Sequence, residues 1–349
     1  MTVHCADCKA YVCRRGGPME ATPDFCPMRG DFPEFEELYS EGEDLALLSQ
    51  AALVESGGYC RWTRVREVGE FCKLMEYGRV GLAHCPDMVA WAERVKMALR
   101  DFEIDAILPP SASVGDPVGQ GRFFADEGTD LNVIAGMCVG HEAMFLRATE
   151  APAVSLIARD VRLLHNPVAG LYTSRSYLKP EMFGHWPKAD RPDSGGGDLD
   201  TLGRLAGKHG HKGIPRVAEA MSVAYDLGAR RIGVSFCVGF KREAKILSRL
   251  LETNGFLVSS ICCKTGSVPK EDAGILDSQK IRPGQAEMIC NPVAQAELLN
   301  RDGVEFVLVL GQCVGHDAAT LRNLEAPAVC LVAKDRVLAH NTVAALYDL

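Results

Sequence analysis

Short apolar runs punctuate this chain, and between them apolar residues return at helical spacing. The runs at 79–84, 104–108, 231–236, 256–262, 304–310 and 328–333 read as buried strands. Helices are predicted at 63–76, at 215–227, over VAWAERVKMALRDF and REAKILSRLLETNGF, at 292–301, and in a short stretch from Gly315. In REAKILSRLLETNGF, Ala244, Leu247, Leu250 and Leu251 share one face, and Asn254-Gly255 supplies a stop. An acidic stretch from Pro33 to Glu55 also reads as helical. Apolar strands alternating with amphipathic helices predict a mainly parallel sheet covered on both faces.

The pattern occurs twice. Residues 131–172 align without a gap on 306–347, with 23 of 42 positions identical. Cys138, His141 and His165 fall on Cys313, His316 and His340. Further upstream TRVREV matches PRVAEA, and Cys85 falls on Cys237. One folding unit has been used twice. The expected fold class is α/β: two tandem Rossmann- or flavodoxin-like, mainly parallel-sheet units with a cysteine-rich N-terminal extension. The expected divisions are an extension at 1–60, copy one at 61–175, a linker at 176–212 containing SGGGD and KHGHK, and copy two at 213–349.

Composition narrows the function classes. With 349 residues, 47% hydrophobic and 24% charged, the chain is an ordinary globular one with room for two cores. A net charge of −8 argues against nucleic acid or an acidic membrane as partner. No apolar run reaches membrane-spanning length, and MTVHCADCKAYVC lacks signal-peptide character, so a cytoplasmic location is expected. In a reducing compartment, 14 cysteines read as metal ligands, reactive thiols or small core residues rather than disulfides.

Cys5, Cys8, Cys13 and Cys26 lie within 22 residues on a segment with little apolar content. Four thiolates so placed suit one iron–sulfur cluster or one zinc ion, with a structural zinc knuckle as the plainer reading. Copy two holds Cys237, Cys262, Cys263, Cys290 and Cys313. Most stand where a strand ends, and the carboxyl edge of a parallel sheet is where ligands bind. Cys237, Cys263, Cys290 and Cys313 are therefore expected to converge as a second metal or cofactor site or as reactive thiols. Cys313, Cys263 and His316 are the catalytic candidates, Cys313 with a thiol pKa lowered by a helix start and His316 as ligand, proton donor or cap. Copy one keeps Cys85 and Cys138 but has PPSASVGDP where copy two has CCKTGSVPKED. Cys330, Cys60 and Cys72 read as lone core thiols. His165 and His340 could face the sheet edge or merely fix a turn. Lys241, Arg242, Lys264 and Lys270 follow strand ends and could receive an anion, though such lysines and arginines are usually solvated. There is no phosphate-binding loop, dinucleotide fingerprint, nucleophile elbow or zinc-protease motif.

HCADCKAYVC with Cys26, GYCRWTRVREV, RRIGVSFCVGF, ICCKTGSVPKED, KIRPGQAEMICNPVAQAELLN, GQCVGHD and KDRVLAHN carry a resemblance. The chain resembles the uncharacterised cysteine-rich "metal-binding proteins" of anaerobic bacteria and archaea, a domain of unknown function. The resemblance implies one α/β domain behind a four-cysteine segment, so this chain looks like a fused duplication. Because each copy has lost what the other keeps, the head cysteines and the copy-two cysteines are expected to form one composite site serving redox or sulfur chemistry with a small-molecule or redox partner. The other readings are a non-catalytic metal carrier or sensor, and a structural zinc protein with an interaction role. The chain is expected to be a monomer or homodimer.

Overall fold

The computed structural model describes residues 3–30, 32–39, 42–186, 197–210 and 212–347. The extension contributes α1 (Glu43–Gly58). Copy one runs α2 (Arg64–Met75), β1 (Arg79–Ala83), α3 (Val89–Arg100), β2 (Asp105–Ile107), α4 (Pro117–Asp126), β3 (Leu131–Met137), α5 (Val139–Ala148) and β4 (Ala153–Ala158). After α6 (Leu199–His209), copy two runs α7 (Arg216–Asp226), β5 (Arg231–Phe236), α8 (Lys241–Thr253), β6 (Leu257–Cys262), α9 (Pro292–Arg301), β7 (Phe306–Leu310), α10 (His316–Arg322) and β8 (Ala328–Val332). β1, β2, β5, β6, β7, β8, α2, α3, α7, α8, α9 and α10 fall within a few residues of the predicted elements, while α1 starts ten residues later than the helical stretch expected from Pro33. Among the described residues, no helix is long and apolar enough to cross a membrane.

The strands form two four-stranded, all-parallel sheets of identical order, β2-β1-β3-β4 and β6-β5-β7-β8. The fold is α/β, as the alternation of elements requires. Every residue of β3, β4, β7 and β8 is buried, which is why these strands are apolar on both faces.

The two copies do not pack as separate beads. The core around β5–β8 takes in Val139 and Ala143 from copy one, and the core around β1–β4 takes in Val314, Ala318 and Ala319 from copy two. Gly315 makes the second exchange possible. Its φ is +86°, and a Cβ there would stand 2.5 Å from the Phe71 ring.

The sheets meet where β4 and β8 present their outer edges, with Ala158, Cys330 and Ala333 in contact. Neither edge strand pairs with the other. Arg64 donates from Nε to the Ser155 carbonyl (2.7 Å) and from Nη2 to Asp317 (2.5 Å), while Asp317 accepts from the Ser155 N–H. At the matching place Arg216 donates to the Cys330 carbonyl (3.1 Å) and to Glu142 (2.5 Å), which accepts from the Cys330 N–H at 2.7 Å. Each buried arginine is thus paired with a carboxylate from the other copy, and the pair satisfies one exposed strand edge.

Part of the segment read as a linker is a packed helix. In α6, Leu202, Leu205 and Ala206 are buried, and Asp198 caps its start by accepting from Thr201 N–H at 2.8 Å. Residues 194–196 of SGGGD and His211 of KHGHK lie outside the described residues.

Candidate thiol site

The head joins the edge of the copy-two sheet. Ser260 N–H donates to the Val3 carbonyl (2.8 Å), His4 forms a parallel bridge with Ser260, and Ala6 N–H donates to Ser260 Oγ (3.1 Å). This docking brings Cys5, Cys8, Cys13 and Cys26 round one small cavity with a fifth thiol, Cys262 from the end of β6. Val12, Phe25, Pro27 and Met28 complete its apolar wall. Burial pushes the Cys5 thiol up to about 12. Cys262 is within hydrogen-bonding reach of Cys13, a contact that holds its thiol well above the usual range.

The next residue, Cys263, opens the second set. Its Sγ is 3.6 Å from Cys290 Sγ, accepts from Val238 N–H at 3.2 Å, and is within reach of Cys237. Cys237 is in turn within reach of Cys313. All four are buried. Cys290 is placed by the extension. Tyr39 donates to Asn291 Oδ1 (2.9 Å) and accepts from Val293 N–H (3.1 Å), fixing the start of α9. Cys237, Cys263, Cys290 and Cys313 therefore converge, and through Cys262 they adjoin the head set.

Cations share the second set. Lys334 Nζ lies 2.9 Å from Cys237 Sγ and 3.3 Å from Cys313 Sγ. Arg336 Nη2 lies 3.3 Å from Cys313 Sγ and 2.5 Å from Glu55 Oε1. Glu55, on α1, is itself 3.4 Å from Cys313 Sγ. Glu67, on α2, pairs with Arg336 at 3.1 Å. Burial and the neighbouring Cys313 raise Glu55, but Arg336, Lys334 and Lys264 outweigh them and hold it below the carboxylate range. Burial raises Glu67 to about 7. Contact with Cys263, helped by Lys264 and His316, brings Cys290 well below the usual thiol range against its burial. Burial opposes protonation of His316, yet Cys290 and Cys313 raise it to about 10. Its Nε2 lies 3.3 Å from the Leu48 carbonyl.

Several readings need revision. Cys313 lies ahead of the Gly315 cap of a short α10, and its sulfur contacts the Lys334, Arg336 and Glu55 side chains. Lys241 stacks on Tyr11, whose ring borders the head thiol cavity, and Arg242 stacks on Tyr172. Lys264 and Lys270 do belong to the neighbourhood. With Arg14, Glu55 and Arg282 they line a cavity of 150 Å³. Cys72 and Cys330 are buried, but Cys60 is exposed, because it sits in a turn with φ +55° after α1. His165 and His340 fix turns: both are left-handed, and their Nδ1 atoms accept from Asp160 N–H (3.3 Å) and Asp335 N–H (3.2 Å).

Glu55, Glu67, Lys334 and Arg336 had not been singled out. The KDR triplet after β8, set against RDV in copy one, carries the only sequence signal for two of them. Nothing local marks the glutamates, which arrive from helices distant in sequence.

Copy one has its own set. The ligand atoms of Cys85, Cys138 and His141 all lie within 4.8 Å of one another, the only such set of His, Cys, Asp or Glu among the described residues.

A family model described as "Protein of unknown function (DUF1847)" matches residues 28–114, 105–156 and 202–331, falling on both copies. An uncharacterized protein of Methanocaldococcus jannaschii is 38% identical over 132 residues, 38% of this chain and 66% of that protein, just under two thirds of its length. Among solved structures, Dph2 from Pyrococcus horikoshii with a 4Fe-4S cluster aligns over 82% of this chain and 90% of its own at 14% identity and a TM-score of 0.25. An aspartate racemase homologue from the same organism aligns over 77% and 98% at 12% identity and a TM-score of 0.20. Neither likeness is close enough to bear on function.

Proposed function

The chain belongs to the DUF1847 family of proteins of unknown function, and we propose that it is a thiol-based redox or sulfur-transfer protein with a metal centre in its head. The observation that carries this reading is the pair Cys262-Cys263. One thiol closes the head cavity and the next reaches Cys237 and Cys290, so a single peptide bond separates the two sets.

The head donors fit a soft metal, since five thiols line one apolar cavity. Two thiolates bound to one tetrahedral zinc with bonds of about 2.3 Å stand about 3.8 Å apart. Five thiols round one cavity, one more than a tetrahedral zinc takes, favour an iron–sulfur cluster, which spreads its ligands over several irons. Cys5, Cys8, Cys13 and Cys26 would hold it, and it would supply one-electron chemistry.

The copy-two thiols suit a different task. A divalent ion about 4 Å from Lys334 would meet about 8 kcal/mol of repulsion at an effective dielectric of 20. Arg336 adds to that. Cations so placed instead stabilise thiolates, and they weigh against the metal-carrier reading at this site. Cys313 is the candidate nucleophile: Lys334 Nζ and Arg336 Nη2 each stand 3.3 Å from its sulfur, and Glu55, paired with Arg336, stands 3.4 Å away. Cys237, Cys263 and Cys290 follow within thiol contact. The cavity lined by Arg14, Lys264, Lys270 and Arg282 against Glu55 and Glu287, with Lys270 paired to Glu287, keeps an excess of positive charge that favours a small anionic substrate.

The test is metal analysis with a visible spectrum, on protein purified without oxygen, for the native chain and Cys5→Ser/Cys8→Ser. Several irons per chain and a brown colour that bleaches in the variant are expected. A colourless protein holding one tight zinc would return the head to a structural role.

A further inference from the structure

We propose that Cys85, Cys138 and His141 bind a thiophilic divalent cation of the zinc class, in the copy that has lost the other strand-end cysteines. The site is separate from the head and from the copy-two thiols.

The geometry is that of a ligand set. Cys85 Sγ lies 3.3 Å from His141 Nδ1, and Cys138 is within reach of both. Bonds of about 2.3 Å to sulfur and 2.0–2.1 Å to nitrogen place tetrahedral neighbours about 3.4–3.8 Å apart. The sulfurs stand on rigid elements. Cys85 N–H donates to the Gly136 carbonyl (2.9 Å), and Cys138 caps α5, whose next N–H is held by Glu219 at 2.7 Å. Cys85 and Cys138 are buried, while His141 is half-buried, which gives an ion a way in.

Comparison of the copies explains why a cation fits here. Cys237, Cys313 and His316 are the matching residues in copy two, and there Lys334 Nζ sits between the two sulfurs. Its counterpart is Arg159. Asp87 draws that guanidinium away, at 2.5 and 2.9 Å, and the Gly210 carbonyl accepts from it at 2.9 Å. Copy two has Gly239 where copy one has Asp87. One carboxylate thus ties that guanidinium into an ion pair, so its charge reaches Cys85 and His141 already partly neutralised. Three protein ligands leave a fourth position for water or a substrate, the arrangement of catalytic rather than structural zinc. Asp87, Arg159 and Glu219 also line an adjoining cavity of 210 Å³, large enough for a small ligand.

The test uses the full chain carrying Cys5→Ser/Cys8→Ser, reduced, stripped of metal and titrated with cobalt(II) under nitrogen. One equivalent with the absorption of tetrahedral, thiolate-bound cobalt is expected, displaced by zinc. Adding Cys85→Ser or His141→Gln should weaken binding at least a hundredfold. Asp87→Asn should weaken it at least tenfold, by releasing Arg159 toward the sulfurs. His141 is half-buried, so its variant reports even where Cys85→Ser fails to fold. Absence of the tetrahedral spectrum, or its survival in His141→Gln, overturns the proposal.

Discussion

Glu67 and Glu219 occupy matching positions in α2 and α7, and burial raises both to about 7. Each folded carboxyl keeps a proton that an unfolded one, near the ordinary 4.5, has released. Their contribution to stability is therefore full below that ordinary value and is lost as pH rises through 7. Such a shift corresponds to as much as about 3 kcal/mol for each group. Glu67→Gln/Glu219→Gln should be markedly less sensitive than the native chain to a change from about pH 5 to about pH 8. Urea unfolding at the two pH values measures this, and equal losses in both proteins would refute it. The grouping of Cys237, Cys263 and Cys313 was legible in the sequence, because strand ends are, and Cys290 was marked instead by the helix that follows it. The charges that decide what those thiols do were not, because Glu55 and Glu67 arrive from other helices.

At the scale of elements, the β4 and β8 edges are the notable case. An exposed parallel edge invites pairing with another strand, yet here each is satisfied by a buried arginine and a carboxylate from opposite copies. Removing one partner strands the other charge in the core. Arg64→Ala should cost about 3–5 kcal/mol. Arg64→Met/Asp317→Leu should cost less, with a residue of about 1–3 kcal/mol because the Ser155 N–H and C=O lose their partners. Urea denaturation of the three proteins decides it. If the double variant proves as damaged as the single one, the strand edge and not the charge sets the cost. Most strands and helices were predictable from periodicity, though α6 was read as linker. The exchange of partners was not, since TRVREV and PRVAEA look identical whether they pack on their own copy or on the other.

For the whole molecule, exchange means interdependence. Each core contains side chains from the other copy, and α2 and α7 each supply a glutamate to the opposite site. Residues 61–175 expressed alone should lack cooperative unfolding and expose apolar surface. Fragments 1–186 and 197–349 produced together should co-purify and melt as one. Independent folding of 61–175, seen as a sharp thermal transition by circular dichroism, would contradict this. The duplication was plain in the sequence, but a repeat specifies two similar units and is silent on whether they trade parts.

The adjacency of Cys262 and Cys263 has one more consequence. Side chains alternate along a strand, so a shift of one residue reverses which side each faces. In β6 such a slip would hand the head's thiol to the buried set and the buried set's thiol to the head. The register of this strand is therefore a wiring rule, and odd and even positions are its two terminals. The parallel pairing of β6 with β5 from Arg231↔Leu257 to Phe236↔Cys262 fixes that parity, and Val3, His4 and Ala6, bonded to the backbone and hydroxyl of Ser260, tie the head to it.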